Sequence, residues 1–493
     1  MNLCNLFVNA WHKYRDNIAI IDNQTNHTVT FHDIICHFSH MARFFDQHHI
    51  APGSKIAILT DPDSAGLLLD YAVMATGRIK IPLDNALSNA EIKAQIADSG
   101  ATILFYSGKY REMALRLPQE ELLCLPVPPL AALPVEEFSP GNITPDQLLS
   151  LNYTGGSTGL PKAVMHTHRS FVSIISNMVI ARDIHPGDRF LNVRPLWPIA
   201  SVVVLAHLLA GGTLVLEDRF RAENFLSLLE KHQIAYSSLV PTQLARLLAR
   251  HPEADQLSLK TLRCIDIGAS AVPAEVLDRA LYLFNRRLAI LYGMTEAPWS
   301  SYLRYQDIPD LSGNELSGLI GRPVFASALK IDQPDINGVG EILISGSHLM
   351  AGYWKNEALT REVLQGPWLR TGDLGKIVGS GYISIAGRIK EIIRSGGKSV
   401  LPKEVENCIL SWPGVAEVHV FGRPDNEWGE KICAAIVLSV SPETFSIEEL
   451  SRFCKANLSG FKVPKTFYIV DSLPRSHYGK IKSAQVTEMT AGL

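Results

Sequence analysis

The chain has 493 residues, more than one hydrophobic core usually supports, so at least two domains are expected. Hydrophobic residues make up 46% and charged residues 19%, an ordinary globular composition. With 46 Lys+Arg against 49 Asp+Glu, the net charge of -3 leaves no electrostatic case for nucleic acid or an anionic membrane as partner.

The N-terminal stretch MNLCNLFVNAWHKYRDN has no basic patch followed by an apolar run, so neither a signal peptide nor an anchor is expected. Short apolar runs rich in branched residues then alternate with amphipathic stretches. IAIIDN, KIAILT, ATILFY, GTLVLED and LRCIDIG read as strands, AENFLSLLEKHQ and PTQLARLLARH as helices. Such alternation predicts α/β layers. LPVPPLAALP, residues 125 to 134, reads as a surface loop. The apolar stretch from Ile199 to Leu216 is broken by Ser201, His207, Gly211, Gly212 and Thr213, and reads as a core helix followed by a strand rather than a membrane span. The seven cysteines are scattered without a CxxC pair, which fits a reducing cytoplasm and indicates neither a zinc site nor a disulfide framework.

From about Arg388 a compact stretch has its own pattern: helix (EVENCILSW), two strands (VAEVHVFG, KICAAIVLS), helix (SIEELSRFCKANL) and strand (TFYIVDSLP). Its length suits a small α+β domain. The boundary is expected in GRIKE, residues 387 to 391, giving domains 1–387 and 388–493.

The sharpest local feature is LNYTGGSTGLPKAVMHT, from Leu151 to Thr167. Gly155, Gly156 and Gly159 stand among Thr154, Ser157 and Thr158, with Lys162 following. Glycines let backbone N–H groups turn toward an anion, hydroxyls add donors, and a lysine adds charge, which suits a triphosphate. The same residues would also serve a plain turn. The spacing is not a Walker A. Gly155 to Gly159 fits the GxSxG of a hydrolase elbow, but that elbow starts a helix at its serine, and Pro161 lies where such a helix wants a donor.

This loop resembles the YTSGTTGxPKGV signature of the adenylate-forming superfamily of acyl-CoA synthetases, peptide-synthetase adenylation domains and luciferases. Leu291–Ala297 (LYGMTEA), Leu349–Trp354 (LMAGYW), Leu369–Leu374 (LRTGDL), Gly387–Ile393 (GRIKEII) and Leu473–Ile481 (LPRSHYGKI) resemble its further motifs, in the family's order. The resemblance covers essentially the whole chain. It implies a large N-terminal multi-layer α/β domain, a small mobile α+β C-terminal lid and a hinge at Lys390.

It also implies ATP-dependent activation of a carboxylic acid to an acyl-adenylate with pyrophosphate release. Transfer to CoA would follow, or to the phosphopantetheine of a carrier protein acting in trans. Thr154, Gly156, Ser157, Thr158, Gly159 and Lys162 would hold the β/γ-phosphates, Thr295 the α-phosphate, and Glu296 the Mg²⁺. Tyr292, Gly293, Met294, Gly268, Ala269 and Ser270 would line the adenine site. Asp373 would accept from the ribose hydroxyls, with Arg388 beside it. Lys480 would bridge carboxylate and α-phosphate as the principal catalytic residue. Gly396 and Gly397 would face the thiol tunnel after rotation about the hinge. A monomer or homodimer without nucleic acid or membrane span is expected.

Two departures matter. Gly155 and Ala163 replace the family's usual Ser and Gly. Pro198, in Arg194–Ser201 (RPLWPIAS), stands where amino-acid activators carry the Asp that pairs with the substrate ammonium, which argues against α-amino acids. Trp197, Pro198, Ile199, Ala200, Val240, Pro241 and Met294 suggest an apolar acyl pocket for an aromatic or short-to-medium aliphatic acid, though most would serve equally as core. A non-catalytic nucleotide-binding homologue and a hydrolase built on Ser157 are the other classes weighed.

Overall fold

The computed structural model describes residues 1–117, 122–130, 138–154, 162–197, 200–253, 255–257, 259–268, 272–308, 316, 318–475 and 481–491, without the side chain of Ala200. The protein is α/β, with two large sheets and a smaller third.

The first sheet has a parallel half and an antiparallel half. The parallel half runs, in spatial order, Leu288–Met294, Cys264–Ile267, Tyr236–Leu239, Arg189–Asn192, Thr213–Leu216 and Ile18–Asp22, closed by antiparallel His27–Thr30. From Leu288–Met294 the sheet continues through antiparallel Ala297–Arg304, Leu319–Pro323, Tyr382–Arg388, Trp368–Val378, Gly340–Gly346 and Ser327–Asp332. The second sheet orders Gly352–Tyr353, Lys162–Thr167, Leu148–Thr154, Ile79–Pro82, Lys55–Leu59, Ile103–Tyr106 and Leu123–Pro126.

Helices Leu3–Lys13, Phe31–Gln47, Ser64–Ala75, His168–Arg182 and Ala200–Leu209 contribute most of the largest core. The sequence dictates the central place of Ser64–Ala75 (SAGLLLDYAVMA). It is apolar on almost every face, and such a helix must be covered all round. The parallel strands Tyr236–Leu239 and Cys264–Ile267 are buried at every residue, as sheets covered on both faces require.

The third sheet is formed by Lys398–Val400, Ile393–Ser395, Gly429–Leu438 and Val415–Asp425, with Thr466–Ile469 added in parallel. It carries helices Pro402–Leu410 and Ile447–Asn457 over a separate core of Val405, Ile409, Val420, Ile432, Ile436 and Leu450. The helices and strands expected in this stretch are all present.

The stretch from Ile199 to Leu216 contains helix Ala200–Leu209 and strand Thr213–Leu216, as its pattern predicts. One expectation needs correction. Leu125 and Pro126 are not loop but the end of edge strand Leu123–Pro126, paired with Ile103–Tyr106. An edge tolerates proline because one side of the strand needs no ladder donor. Among the described residues, no helix is long and apolar enough to cross a membrane.

Candidate active site

Four of the candidate residues lie at or beyond the ends of parallel strands. Thr154 closes Leu148–Thr154, Val240 follows Tyr236–Leu239, Gly268 follows Cys264–Ile267, and Trp197 lies beyond Arg189–Asn192. In open α/β sheets the carboxyl ends of strands form the crevice in which ligands bind.

Lys162 pairs with Thr154 across two antiparallel strands, so the two ends of the glycine loop are fixed side by side. The loop itself, with Gly156, Ser157, Thr158 and Gly159, lies outside the described residues, as do Pro198, Ile199, the side chain of Ala200, Ala269, Ser270 and Lys480.

Strand Lys162–Thr167 is held on its other edge by Gly352–Tyr353, with Met165 opposite Gly352 and Val164 opposite Tyr353. Tyr353 thereby reaches two candidate residues. Its hydroxyl donates to Glu296 Oε1 at 2.8 Å, and Lys162 Nζ stands 5.7 Å from its ring centroid. Burial, then the Glu296 charge, push the Tyr353 phenol well above its ordinary pKa, so it remains a donor.

Thr295 and Glu296 form the two-residue tip of the hairpin between Leu288–Met294 and Ala297–Arg304, where Met294 pairs with Ala297. Glu296 is 8% exposed. Both tip carbonyls are tied down, Glu296 O by Met350 N at 2.9 Å and Thr295 O by His166 Nε2 at 2.7 Å. A carbonyl only accepts, so His166 carries its proton on Nε2. Burial lowers its pKa to about 4, which keeps the ring neutral. Gly293 sits at the register shift of this hairpin, where a Cβ would lie 2.6 Å from Trp299 N. No other residue fits there without moving the tip.

A second cluster surrounds Asp373, which is 6% exposed. It accepts from the Tyr292 hydroxyl at 2.8 Å through Oδ2 and from Arg388 Nε at 2.9 Å through Oδ1. Asp373 and Arg388 are directly opposite across strands Trp368–Val378 and Tyr382–Arg388. The turn is stiffened locally: Thr371 Oγ1 donates to Ile342 O at 2.7 Å and accepts from Asp373 N at 3.0 Å. Gly372 N donates to Glu341 Oε1 at 3.0 Å. Burial, then the Asp373 charge, raise the Tyr292 phenol well above its ordinary pKa.

Lys390 is exposed in the short turn Ile389–Glu391. Gly396 and Gly397, at φ +58° and +74°, form the two-residue turn of hairpin Ile393–Ser395/Lys398–Val400, a left-handed pair that favours glycine. Met294 is half-buried, while Trp197 and Val240 are buried. Tyr353 and His166 carried no expectation. Both lie inside motifs quoted above, but their partners are 57 and 129 residues away.

Comparison with known proteins gives the family. The AMP-binding enzyme model matches residues 7–354, and the AMP-binding enzyme C-terminal domain model matches 404–480. A feruloyl-CoA synthase from Amycolatopsis is 34% identical over 450 residues, covering 89% of each chain. A 2-succinylbenzoate–CoA ligase from Bacillus licheniformis is 32% identical over 477 residues, covering 94% of this chain and 95% of the relative. The o-succinylbenzoate CoA synthetase structure from Bacillus subtilis, in complex with its acyl-adenylate intermediate, superposes with a TM-score of 0.85 at 28% identity, covering 98% of this chain and 97% of that one.

Proposed function

The chain belongs to the AMP-binding enzyme family, and from that premise we propose that it is an acid–CoA ligase forming AMP. The carboxylate oxygen of the acid attacks the α-phosphorus of ATP. An acyl–O–P bond forms, and the bond to pyrophosphate breaks. The thiol sulfur of CoA then attacks the acyl carbonyl, giving a thioester and releasing AMP.

One observation carries the reading. Lys162 and Glu296, 134 positions apart in the chain, both approach Tyr353, Lys162 Nζ over its ring and Glu296 at its hydroxyl, with Lys162 paired to Thr154 at the mouth of the glycine loop. A cation and a carboxylate around one tyrosine there suit a triphosphate with its metal ion. Thr154 and Lys162, with Gly156, Ser157, Thr158 and Gly159, hold the β/γ-phosphates. Thr295 contacts the α-phosphate. Asp373 and Arg388 take the ribose, and Tyr292, Gly293, Met294, Gly268, Ala269 and Ser270 line the adenine. Trp197, Pro198, Ile199, Ala200 and Val240 border the acyl group. Lys480 bridges carboxylate and α-phosphate.

Mg²⁺ fits the donor set. Glu296 offers one hard carboxylate, and among the described residues no group of three or more His, Cys, Asp or Glu could hold a metal on its own. A single carboxylate completed by phosphate oxygens and water is how Mg²⁺ is commonly held. Held by Glu296, the ion would supply charge neutralisation for the departing pyrophosphate.

For the acyl group we favour aromatic acids. Relatives at 30% identity or more are named for feruloyl, 2-succinylbenzoate and indoleacetate substrates, and Trp197 and Val240 are apolar and buried. Residues 388–493 act as the lid, turning about Lys390 so that Gly396 and Gly397 reach the thiol.

The test is pyrophosphate release over a panel of ferulic, 2-succinylbenzoic, indole-3-acetic and hexadecanoic acids, with and without CoA. Acid-dependent release with thioester formation supports the ligase. ATP-independent ester cleavage requiring Ser157 sinks it. Faster turnover with a phosphopantetheinylated carrier protein than with CoA would assign the acceptor instead to the carrier.

A further inference from the structure

The groups assigned to the triphosphate come from two different sheets. Lys162, paired with Thr154 at the mouth of the glycine loop, belongs to the second sheet, while Thr295 and Glu296 form a hairpin tip of the first. Adenylation breaks the bond between the α- and β-phosphates, so the spacing of these two anchors must hold through that step.

Side chains alternate along a strand, so Lys162, Val164 and His166 share one face of Lys162–Thr167. Tyr353, opposite Val164, joins them. The hairpin tip meets this face twice. The Tyr353 hydroxyl donates to the Glu296 carboxylate, and His166 Nε2 donates to Thr295 O at 2.7 Å. His166 is fully buried. It ties the α-phosphate contact to the strand that begins at Lys162.

The imidazole is itself held by helix His168–Arg182. Ser170 Oγ lies 3.0 Å from His166 Nδ1. With Nε2–H committed to a carbonyl, the neutral ring leaves Nδ1 bare, and the Ser170 hydroxyl is placed to donate to it. Thr167 O, also at 3.0 Å, competes for the same proton. The Ser170 oxygen accepts from Thr167 N at 3.0 Å in the capping box that opens the helix, which fixes its position.

We propose that His166, with its tautomer set by Ser170, is a positioning residue for adenylation that fixes the reach from the Lys162 strand to Thr295. The proposal rests on the ligase reading. Without this strut the tip keeps its turn and its bond to Met350 but is free to shift against the phosphate cradle. Bound ATP would keep most of its contacts, whereas the alignment of the displacement would suffer. The loss therefore belongs in kcat and not in the KM for ATP.

The test compares single-turnover pyrophosphate release, with the best acid of the panel above, in the parent, His166→Leu and His166→Gln. Leucine removes the donor at similar volume, and the glutamine amide nitrogen can take the place of Nε2. His166→Leu should be about tenfold slower, the scale of one buried hydrogen bond, with the KM for ATP within about twofold. His166→Gln should recover to within about threefold of the parent. A folded His166→Leu variant at the parental rate overturns the proposal, as do a His166→Gln variant no faster than it and a fall in kcat matched by an equal rise in the KM for ATP. If thermal melting shows His166→Leu unfolded, His166→Asn takes its place, since it is too short to reach Thr295 O, with the same outcomes.

Ser170→Ala isolates the tautomer. It should slow the parent about threefold but cost nothing further in His166→Gln, whose amide has no tautomer to choose. Equal slowing in both backgrounds would make Ser170 a helix cap alone and overturn its part in the proposal, as would no slowing in the parent. A parent enzyme that releases no pyrophosphate with any acid overturns both this proposal and the ligase reading, whereas an active parent with unaltered variants overturns this one alone.

Discussion

The Tyr292 hydroxyl donates to Asp373 Oδ2 at 2.8 Å, joining the strand that leads into Thr295–Glu296 to the one that carries Thr371–Gly372–Asp373. With Arg388 on the other oxygen, the carboxylate is oriented from both sides.

Tyr292→Phe should therefore loosen Asp373 without removing it. A hydrogen bond to a charged group contributes about 1.5–3 kcal/mol, so the KM for ATP should rise roughly tenfold or more. Asp373→Ala should raise it further. Titration calorimetry with AMP checks both, and a Tyr292→Phe variant with parental AMP affinity would show that the bond is incidental.

Tyr353→Phe leaves the buried Glu296 carboxylate without the O–H donor at 2.8 Å. The fold should survive, since the ring and its strand pairing remain. The adenylation rate should fall about tenfold, with the dependence on Mg²⁺ concentration shifted upward. Single-turnover pyrophosphate release against Mg²⁺ measures it. A parental curve would remove Tyr353 from the site.

Lys480→Ala should reduce acid-dependent pyrophosphate release by about 10²–10³, the usual cost of losing a cation aimed at developing charge. Lys390→Pro should instead slow thioester formation more than adenylation, because it stiffens the turn about which the lid would swing. Separate assays of the two half-reactions decide; equal loss of both in Lys390→Pro would end the hinge argument.

Acid should weaken the protein through a buried imidazole remote from the chemistry. His37, in helix Phe31–Gln47, has its pKa lowered to about 4, chiefly by burial and then by His40. Both its ring nitrogens are buried without a hydrogen-bond partner. The unfolded chain takes up this proton near pH 6.5 and the folded protein only near pH 4. Between those values the unfolded state binds more protons. The stability contribution is thus complete above about pH 6.5 and is lost as pH falls toward 4. His37→Leu should flatten the pH dependence of urea unfolding by up to one proton in this window. An unchanged slope would mean the site hydrates.

Much of this was legible in the residues. Several strands announce themselves as apolar runs, and LYGMTEA and LRTGDL carry Tyr292, Glu296 and Asp373. What stayed hidden are contacts between segments far apart in the chain. Nothing local says that Tyr353 reaches Glu296, or that His166 pins Thr295 O. Asp70 and Lys80, a fully buried ion pair at 2.8 Å, did leave a trace, as single charges inside the apolar runs LLLDYAVMA and IKIP. Such a charge must find a buried partner, but its own surroundings do not say which one. The edge strand ending at Pro126 was obscured because clustered prolines read as a loop, whereas an unpaired strand edge tolerates proline.

Arg388 closes its strand opposite Asp373, and Lys390 comes two residues later. A swivel at that lysine would tug first on the guanidinium that steadies Asp373. Escape of spent nucleotide would then keep time with the swing of the cap, and a mutation that jams the pivot should also trap AMP.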